Sequence, residues 1–307
     1  MTKVLVATEK PFAPVAITSI RKIVEDAGFE LVLLEKYKDP ADLMNAVADV
    51  HALIVRSDLA NQQVIQNTKN LKIIVRAGAG YDNIDLQAAT EKGIVVMNTP
   101  GQNANAVAEL VLGMMIYIAR NNYNGTPGTE LLNKSIGIHA YGNVGKRVAK
   151  IALGFGMKVF AFDPFVQKSV MEEDGVLPVN HINDLYSSCQ YVTLHMPADK
   201  ETIRSINYDL MSKMPEGAVL VNTARKEIID EESLLRIMEE RTDFRYASDI
   251  IPGCAAEFEE KYKGRFFFTP KKMGAQTEEA NINAGVAAAH QIVRFFKTDD
   301  TTFQVNK

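Results

Sequence analysis

The residues best suited to chemistry form a short run at 137–145, G-I-H-A-Y-G-N-V-G, followed by Lys146. It comes after an apolar run that reads as a strand. It opens a segment in which Val144, Val148, Ile151, Ala152 and Phe155 recur at helical spacing. Strand, glycine turn and helix in that order are the context of a dinucleotide fingerprint. Gly142 would let the main chain approach a pyrophosphate, and Gly145 would let helix and strand pack closely. The N–H groups and positive end of the helix would hold the anion. The first glycine of the G-x-G-x-x-G pattern is replaced by Ala140. Asp163 follows at about twenty residues, at the end of the next strand in F-D-P. A carboxylate there accepts hydrogen bonds from ribose hydroxyls and repels a 2′-phosphate, which favours NAD over NADP. The competing reading is a glycine turn and a solvated strand-end Asp in a cofactor-free fold.

The elements that must position these residues alternate. Strands are expected at 3–8, 30–34, 52–55, 72–75 and 94–97, with helices at 14–27, 41–48 and 85–92. A break follows at 98–103, N-T-P-G-Q-N, then a long apolar helix over 104–120 and a loop at 121–129. A second series has strands at 135–140, 158–162, 190–194, 218–222, 244–248 and 265–269, and helices near 143–154, 205–213 and 231–240. A last helix spans 277–297. Near-continuous Val/Ile/Leu runs indicate parallel strands covered on both faces, and the alternation indicates βαβ units. The expected fold is α/β: two doubly wound, Rossmann-like parallel sheets with a cleft between them. The final helix has no strand after it and would return to the first domain. This gives a discontinuous domain, 1–97 plus 278–307, and an inserted one, 98–277.

Composition narrows the function classes. The 307 residues carry 34 basic and 38 acidic side chains, a net charge of −4, without the basic excess of a nucleic-acid binder. A hydrophobic share of 47% and a charged share of 23% are those of an ordinary globular protein. Cys189 and Cys254 do not make a disulfide framework, which points to a reducing, cytoplasmic setting. No uncharged apolar run reaches the roughly 18 residues of a membrane span. The five histidines lack metal-ligand spacing, so no metal is expected.

Several further segments converge. Residues 76–85, R-A-G-A-G-Y-D-N-I-D, with 91–101, E-K-G-I-V-V-M-N-T-P-G, resemble the D-isomer-specific 2-hydroxyacid dehydrogenases. So do 155–164, F-G-M-K-V-F-A-F-D-P, 194–197, L-H-M-P, and 221–225, V-N-T-A-R, in the same order. Residues 76–85 and 54–57, I-V-R-S, are most similar to members that oxidise D-3-phosphoglycerate to 3-phosphohydroxypyruvate with NAD, in the first step of serine biosynthesis. The regulatory C-terminal domains of longer members are expected to be absent. The resemblance implies a discontinuous substrate-binding domain and an inserted NAD-binding domain. It implies that Arg225 binds the substrate carboxylate and keto oxygens, for which a planar fork is suited. Backbone around Ala79 and Gly80 would hold the same carboxylate, with Ala79 also touching the cofactor. Gly142, Asn143, Val144 and Gly145 would lie under the pyrophosphate, and Asp163 at the ribose. Met196, Thr223 and Ala224 would line the cofactor, and Asp249 would bind the nicotinamide carboxamide. Arg56, with Ser57 beside it, would pair with a substrate phosphate. Lys10 could also reach that phosphate but reads equally as a solvated charge, and Asn103 and Asn105 read as helix caps.

The chain departs from the family at the acid/base group. The family histidine lies in T-P-H-I-G-A, whereas 269–275 read T-P-K-K-M-G-A. The position falls on Lys272 counting back from Gly274, and on Lys271 counting forward from Pro270. The family glutamate that pairs with this histidine corresponds to Cys254, and Glu257, Glu259 and Glu260 lie nearby. A carboxylate beside a lysine would raise a pKa already near about 10.4, so the two changes read as one adaptation. Lys272 is expected as the general acid/base with Arg225, and Glu257 as the carboxylate a shifted loop could supply. The competing reading is a solvated lysine pair. The loop at 121–129 is shorter than in relatives, which puts the usual dimer arm in doubt. A homodimer through the 104–120 helix is expected. Three functions remain open: phosphoglycerate oxidation, reduction of another 2-keto acid such as glyoxylate or hydroxypyruvate, and a catalytically silent NAD-binding protein.

Overall fold

The computed structural model describes residues 1–306 and divides them into two compact units. One unit is Met1–Asn103 together with the segment from Thr277; the other is Ala104–Gln276. The first boundary lies at 103/104 rather than 97/98, because Pro100–Asn103 belong with the strand end they follow.

In the first unit the chain runs β1 (Lys3–Thr8), α1 (Pro14–Asp26), β2 (Glu30–Glu35), α2 (Pro40–Val47), β3 (Ala52–Val55), α3 (Gln62–Gln66), β4 (Ile73–Arg76), α4 (Leu86–Glu91) and β5 (Val95–Asn98). The five strands are parallel, in the order β2-β1-β3-β4-β5. Alternation along β1 divides its side chains between two cores. Leu5 and Ala7 face one side with Leu53 and Ile74; Val4 and Val6 face the other with Ile54 and Ile73. Both faces are therefore apolar, as a parallel sheet requires.

The second unit contains α5 (Ala104–Ala119), β6 (Ser135–His139), α6 (Asn143–Gly154), β7 (Lys158–Phe162), α7 (Lys168–Glu173), β8 (Leu177–Pro178), α8 (Ile182–Ser188), β9 (Tyr191–Leu194), α9 (Tyr208–Met211), β10 (Val219–Asn222), α10 (Glu231–Glu240), β11 (Arg245–Ser248), α11 (Ala255–Lys261) and β12 (Phe266–Phe268). Its seven parallel strands lie in the order β12-β11-β10-β9-β6-β7-β8. The order reverses between β6 and β9, and ligands of such sheets bind outside the carboxyl ends at that reversal. Helix α5 is apolar nearly all round; Val111, Leu112, Met115 and Ile118 are buried in the core it shares with α6.

The chain returns to the first unit as α12 (Glu278–Thr298). Its small residues Ala284, Gly285 and Ala288 let it lie close to α1; a Cβ on Gly285 would stand 2.9 Å from the Phe12 ring. Thr277 caps it by accepting from Ala280 N–H. Beyond it, the last described residues cover the outer edge of β5. Val305 N–H donates to Val96 O, and the Asn306 amide exchanges hydrogen bonds with Val96 N–H and Ile94 O.

The expected helix at 205–213 shrinks to α9. Ile206 is instead extended, donating to Ile228 O and accepting from Asp230 N–H, and Asn207 caps the short helix behind it. The short elements α3, α7, β8 and α11 were not among the expected ones.

Candidate active site

At the reversal in the second unit, β6 runs into the glycine turn and α6. Gly142 has no neighbour within 4 Å of a virtual Cβ, so the turn is open on that side. At Gly145 a Cβ would lie 2.4 Å from Ala140 O and 3.0 Å from Ile138 Cγ2, so only glycine lets α6 lie this close to β6. Ala140 adopts φ +79°, the left-handed region that the usual glycine occupies without cost. No side chain caps α6, so the N–H groups of Asn143, Val144 and Gly145 present its positive end without a side-chain acceptor. Beside them Lys146, Arg147 and Lys150 line a cavity of about 580 Å³ against Glu173 and Asp174. The Asp163 carboxylate accepts from Tyr141 N–H and Phe165 N–H, both at 2.8 Å. It thereby ties the end of β7 to the turn, and each oxygen keeps a further lone pair. The Tyr141 ring is buried beneath the turn, its hydroxyl donating to Asp174 at 2.9 Å.

Across the reversal, His195 follows β9 and donates its N–H to His139 O at 3.0 Å. The His139 ring stands 3.3 Å from the Tyr186 hydroxyl, and His195 Nε2 stands 3.0 Å from Thr193 Oγ1. Burial pushes both imidazoles down to about 3, so both are neutral. Met196, next along, is buried.

The strongest convergence lies at the ends of β10 and β11. Asn222 is fully buried and shapes the turn after β10: its Oδ1 accepts from Ala224 N–H and its Nδ2 donates to Arg225 O, both at 2.9 Å. Ala224 O thus faces two cations. Arg225 Nη1 donates to it at 2.9 Å and Lys272 Nζ at 2.8 Å. Asp249, also fully buried, ends β11. Its Oδ2 accepts from Gly274 N–H at 2.7 Å, while its Oδ1 is buried without a hydrogen-bond partner. Burial raises the Asp249 carboxyl from its ordinary value; hydrogen bonds from Gly274 and Met273 and the charges of Lys272 and Arg225 pull it back. Thr223 Oγ1 is a second buried, unpartnered oxygen here.

The first unit gathers its charged groups at the ends of β1 and β3. Arg56 donates through Nη1 to Lys10 O at 2.8 Å and Pro11 O at 3.1 Å, and through Nη2 to Asn281 Oδ1. Its guanidinium lies 5.1 Å from the centre of the Phe12 ring. Buried Asp58 accepts from Glu9 N–H, Tyr37 OH and Arg56 N–H. Ser57 and Lys10 are exposed. The turn carrying Ala79 and Gly80 is pinned by Asn98 Nδ2 donating to Ala79 O and Thr99 N–H donating to Gly78 O.

Residues 103–261 match the family described as D-isomer specific 2-hydroxyacid dehydrogenase, NAD binding domain. The chain belongs to this family. Among curated relatives, the D-3-phosphoglycerate dehydrogenase of Methanocaldococcus jannaschii is 35% identical over 90% of this chain and 55% of its own length. The hydroxypyruvate reductase of Thermotoga maritima is 36% identical over 86% of this chain and 91% of its own. The chain thus spans about half the length of the curated phosphoglycerate dehydrogenases it matches, 55% for the first of them. Among solved structures, an NAD+-bound 3-phosphoglycerate dehydrogenase of Entamoeba histolytica is 51% identical, covers 100% of this chain and 99% of its own, and superposes with a TM-score of 0.90.

The family's cofactor is NAD, and the second unit's residues fit it. The turn offers N–H groups to a pyrophosphate, Asp163 an acceptor to a ribose, and Asp249 Oδ1 a buried acceptor to a carboxamide N–H. Among the family's positions, Lys271 and Lys272 are both exposed, and it is Lys272 whose Nζ reaches the Arg225 turn; the Lys271 carbonyl accepts from Thr269 Oγ1. Glu257 is half-buried in the first turn of α11, where its charge acts on Cys254. The ionisation of Asp249 responds to both Lys272 and Arg225. Glu231 fastens the loop before α11 by accepting from Gly253 N–H at 2.7 Å. Asn222, Glu231, Asp58 and Asn281 carried no expected role. An Asn just before a turn, as at Asn222, is the one signal that could have found any of them. No helix among the described residues is long and apolar enough to cross a membrane.

Proposed function

We propose that this chain catalyses the NAD-dependent oxidation of D-3-phosphoglycerate to 3-phosphohydroxypyruvate, with Lys272 as general acid/base. The observation that carries this is the meeting of Lys272 Nζ and Arg225 Nη1 on Ala224 O, beside the Asp249 carboxylate. When bound, NAD+ supplies the hydride acceptor for C2 of the substrate. Arg225 holds the carboxylate and steadies the keto oxygen as it forms. Lys272 takes the hydroxyl proton, so the products are the keto acid, NADH and a lysine ammonium. Before oxidation Lys272 must be deprotonated, and an ordinary lysine loses its proton at about 10.4, so this direction favours alkaline pH. Arg56 receives the phosphate: its guanidinium is held by two carbonyls and an amide, and among the described residues no carboxylate forms a salt bridge with it.

The second reading is reduction of an unphosphorylated keto acid, favoured by the match to nearly the whole length of the Thermotoga hydroxypyruvate reductase. One assay decides between them. NADH consumption is followed with 3-phosphohydroxypyruvate, hydroxypyruvate and glyoxylate in parallel. Preference for the phosphorylated acid supports the proposal, preference for hydroxypyruvate replaces it, and no turnover leaves a silent NAD-binding protein.

A further inference from the structure

The loop 270–276, which carries Lys272, leaves β12, the outermost and three-residue strand of its sheet, so no strand lies beyond to brace it. Its backbone is fastened inward by a side chain. Gly274 N–H donates to Asp249 Oδ2 at 2.7 Å. Gly274 makes the approach possible: a Cβ there would lie 2.8 Å from Asp249 Oδ2 and 3.2 Å from Val107 Cγ2. The other oxygen of this fully buried carboxylate has no partner.

We infer that Asp249 is a positioning residue that couples the bound nicotinamide to the Lys272 loop, one oxygen receiving the carboxamide N–H and the other gripping Gly274. A donor on Oδ1 stabilises the ionised carboxylate. Charge-assisted hydrogen bonds are stronger than neutral ones, so occupying one oxygen tightens the bond at the other. The lysine is then held at both ends: its backbone through Gly274, its ammonium through Ala224 O. An asparagine at this place is neutral and offers an acceptor at only one of the two positions. It cannot receive both N–H donors with charge-assisted bonds, so the coupling through the carboxylate is lost.

This inference rests on the proposed placement of the nicotinamide at Asp249, and amide hydrogen exchange with and without NAD+ separates the two. In the unmodified chain, NAD+ is expected to slow exchange both at the glycine turn, 140–146, and at 270–276, the latter by about tenfold. In Asp249→Asn the turn remains protected by NAD+, while the NAD+-dependent protection at 270–276 disappears. Gly274→Ala, which leaves the carboxylate in place and pushes the loop off it, is expected to give the same pattern. Binding is checked in each variant by NADH fluorescence. Protection at 140–146 without protection at 270–276 in the unmodified chain overturns the coupling and leaves the functional proposal standing. Persistence of the 270–276 effect in both variants overturns it as well. Absence of NAD+ protection anywhere overturns both.

Discussion

The carboxyl ends of the two sheets collect similar residues and use them differently. In the first unit, Arg56 and Asp58 are bound almost wholly by their own neighbours: Asp58 accepts three hydrogen bonds and Arg56 donates three. Buried oxygens without partners occur in both units, among them the Thr8 and Thr99 hydroxyls in the first, and the Thr223 hydroxyl and one Asp249 carboxylate oxygen in the second, where the start of α6 also keeps N–H groups without a side-chain cap. A buried carboxylate oxygen is costlier to leave unpaired than a hydroxyl, so Asp249 Oδ1 has the strongest need of a partner among these atoms. The first unit thus holds Arg56 as a preset cation, and the second holds an open acceptor and an uncapped helix start. On this view the chemistry belongs to the second unit and the choice of substrate to the first.

The sharpest way to break that division is Lys272→Met. Turnover is expected to fall by about 10²–10⁴-fold, with NADH affinity by fluorescence unchanged; a variant with normal turnover would move the acid/base elsewhere. Arg56→Ala tests the other half. Loss of a hydrogen-bonded charge should raise KM for the phosphorylated keto acid by about tenfold to a hundredfold, while KM for hydroxypyruvate stays put. Equal losses for both acids would mean that Arg56 shapes the first unit rather than selects a phosphate.

Acid should weaken the second unit first. His139 and His195 are neutral in the fold, with pKa values pushed to about 3 against 6.5 when exposed. Below the exposed value the unfolded chain binds more protons, so stability is complete above it and falls with pH down towards the folded value. Each imidazole contributes at most about 1.4 kcal/mol per pH unit in that window. His195→Asn should flatten the fall of Tm between roughly pH 6 and 4; an unchanged slope would mean that other groups control it. The smallest effect is expected at the turn. Ala140→Gly removes a left-handed alanine and should stabilise by about 1 kcal/mol, seen as a rise of about 2 °C in Tm. A fall would show that the methyl, which packs against the second unit's buried core, outweighs the backbone cost.

The doubly wound plan was readable because buried parallel strands are written as unbroken apolar runs, and the 137–145 turn because Gly145 is required by the close packing of helix on strand. Elements of five to seven residues such as α3, α7 and α11 are too short to show a helical period. Within the site, the family resemblance supplied Asp249 and left two candidate lysines. Spacing leaves that pair open, because what separates them is which side chain reaches Ala224 O. Counting along the chain from Asp249 led to Cys254, with Glu257 as a carboxylate that a shifted loop could supply; Glu257 lies in the first turn of α11, where its charge acts on Cys254. Bonds from side chain to distant backbone, such as Asp249 to Gly274, leave no periodic trace in a sequence.

The short tail on β5 has a practical consequence. Strands at the rim of a sheet expose a row of unsatisfied donors and acceptors that other chains can zip onto. Gln304–Asn306 occupy that row on β5 in antiparallel fashion, through the Met97–Gln304 bridge and the Asn306 amide. Trimming the chain before Gln304 for crystallisation or labelling would bare Val95–Asn98 and invite intermolecular strand pairing, so soluble yield rather than activity would suffer first.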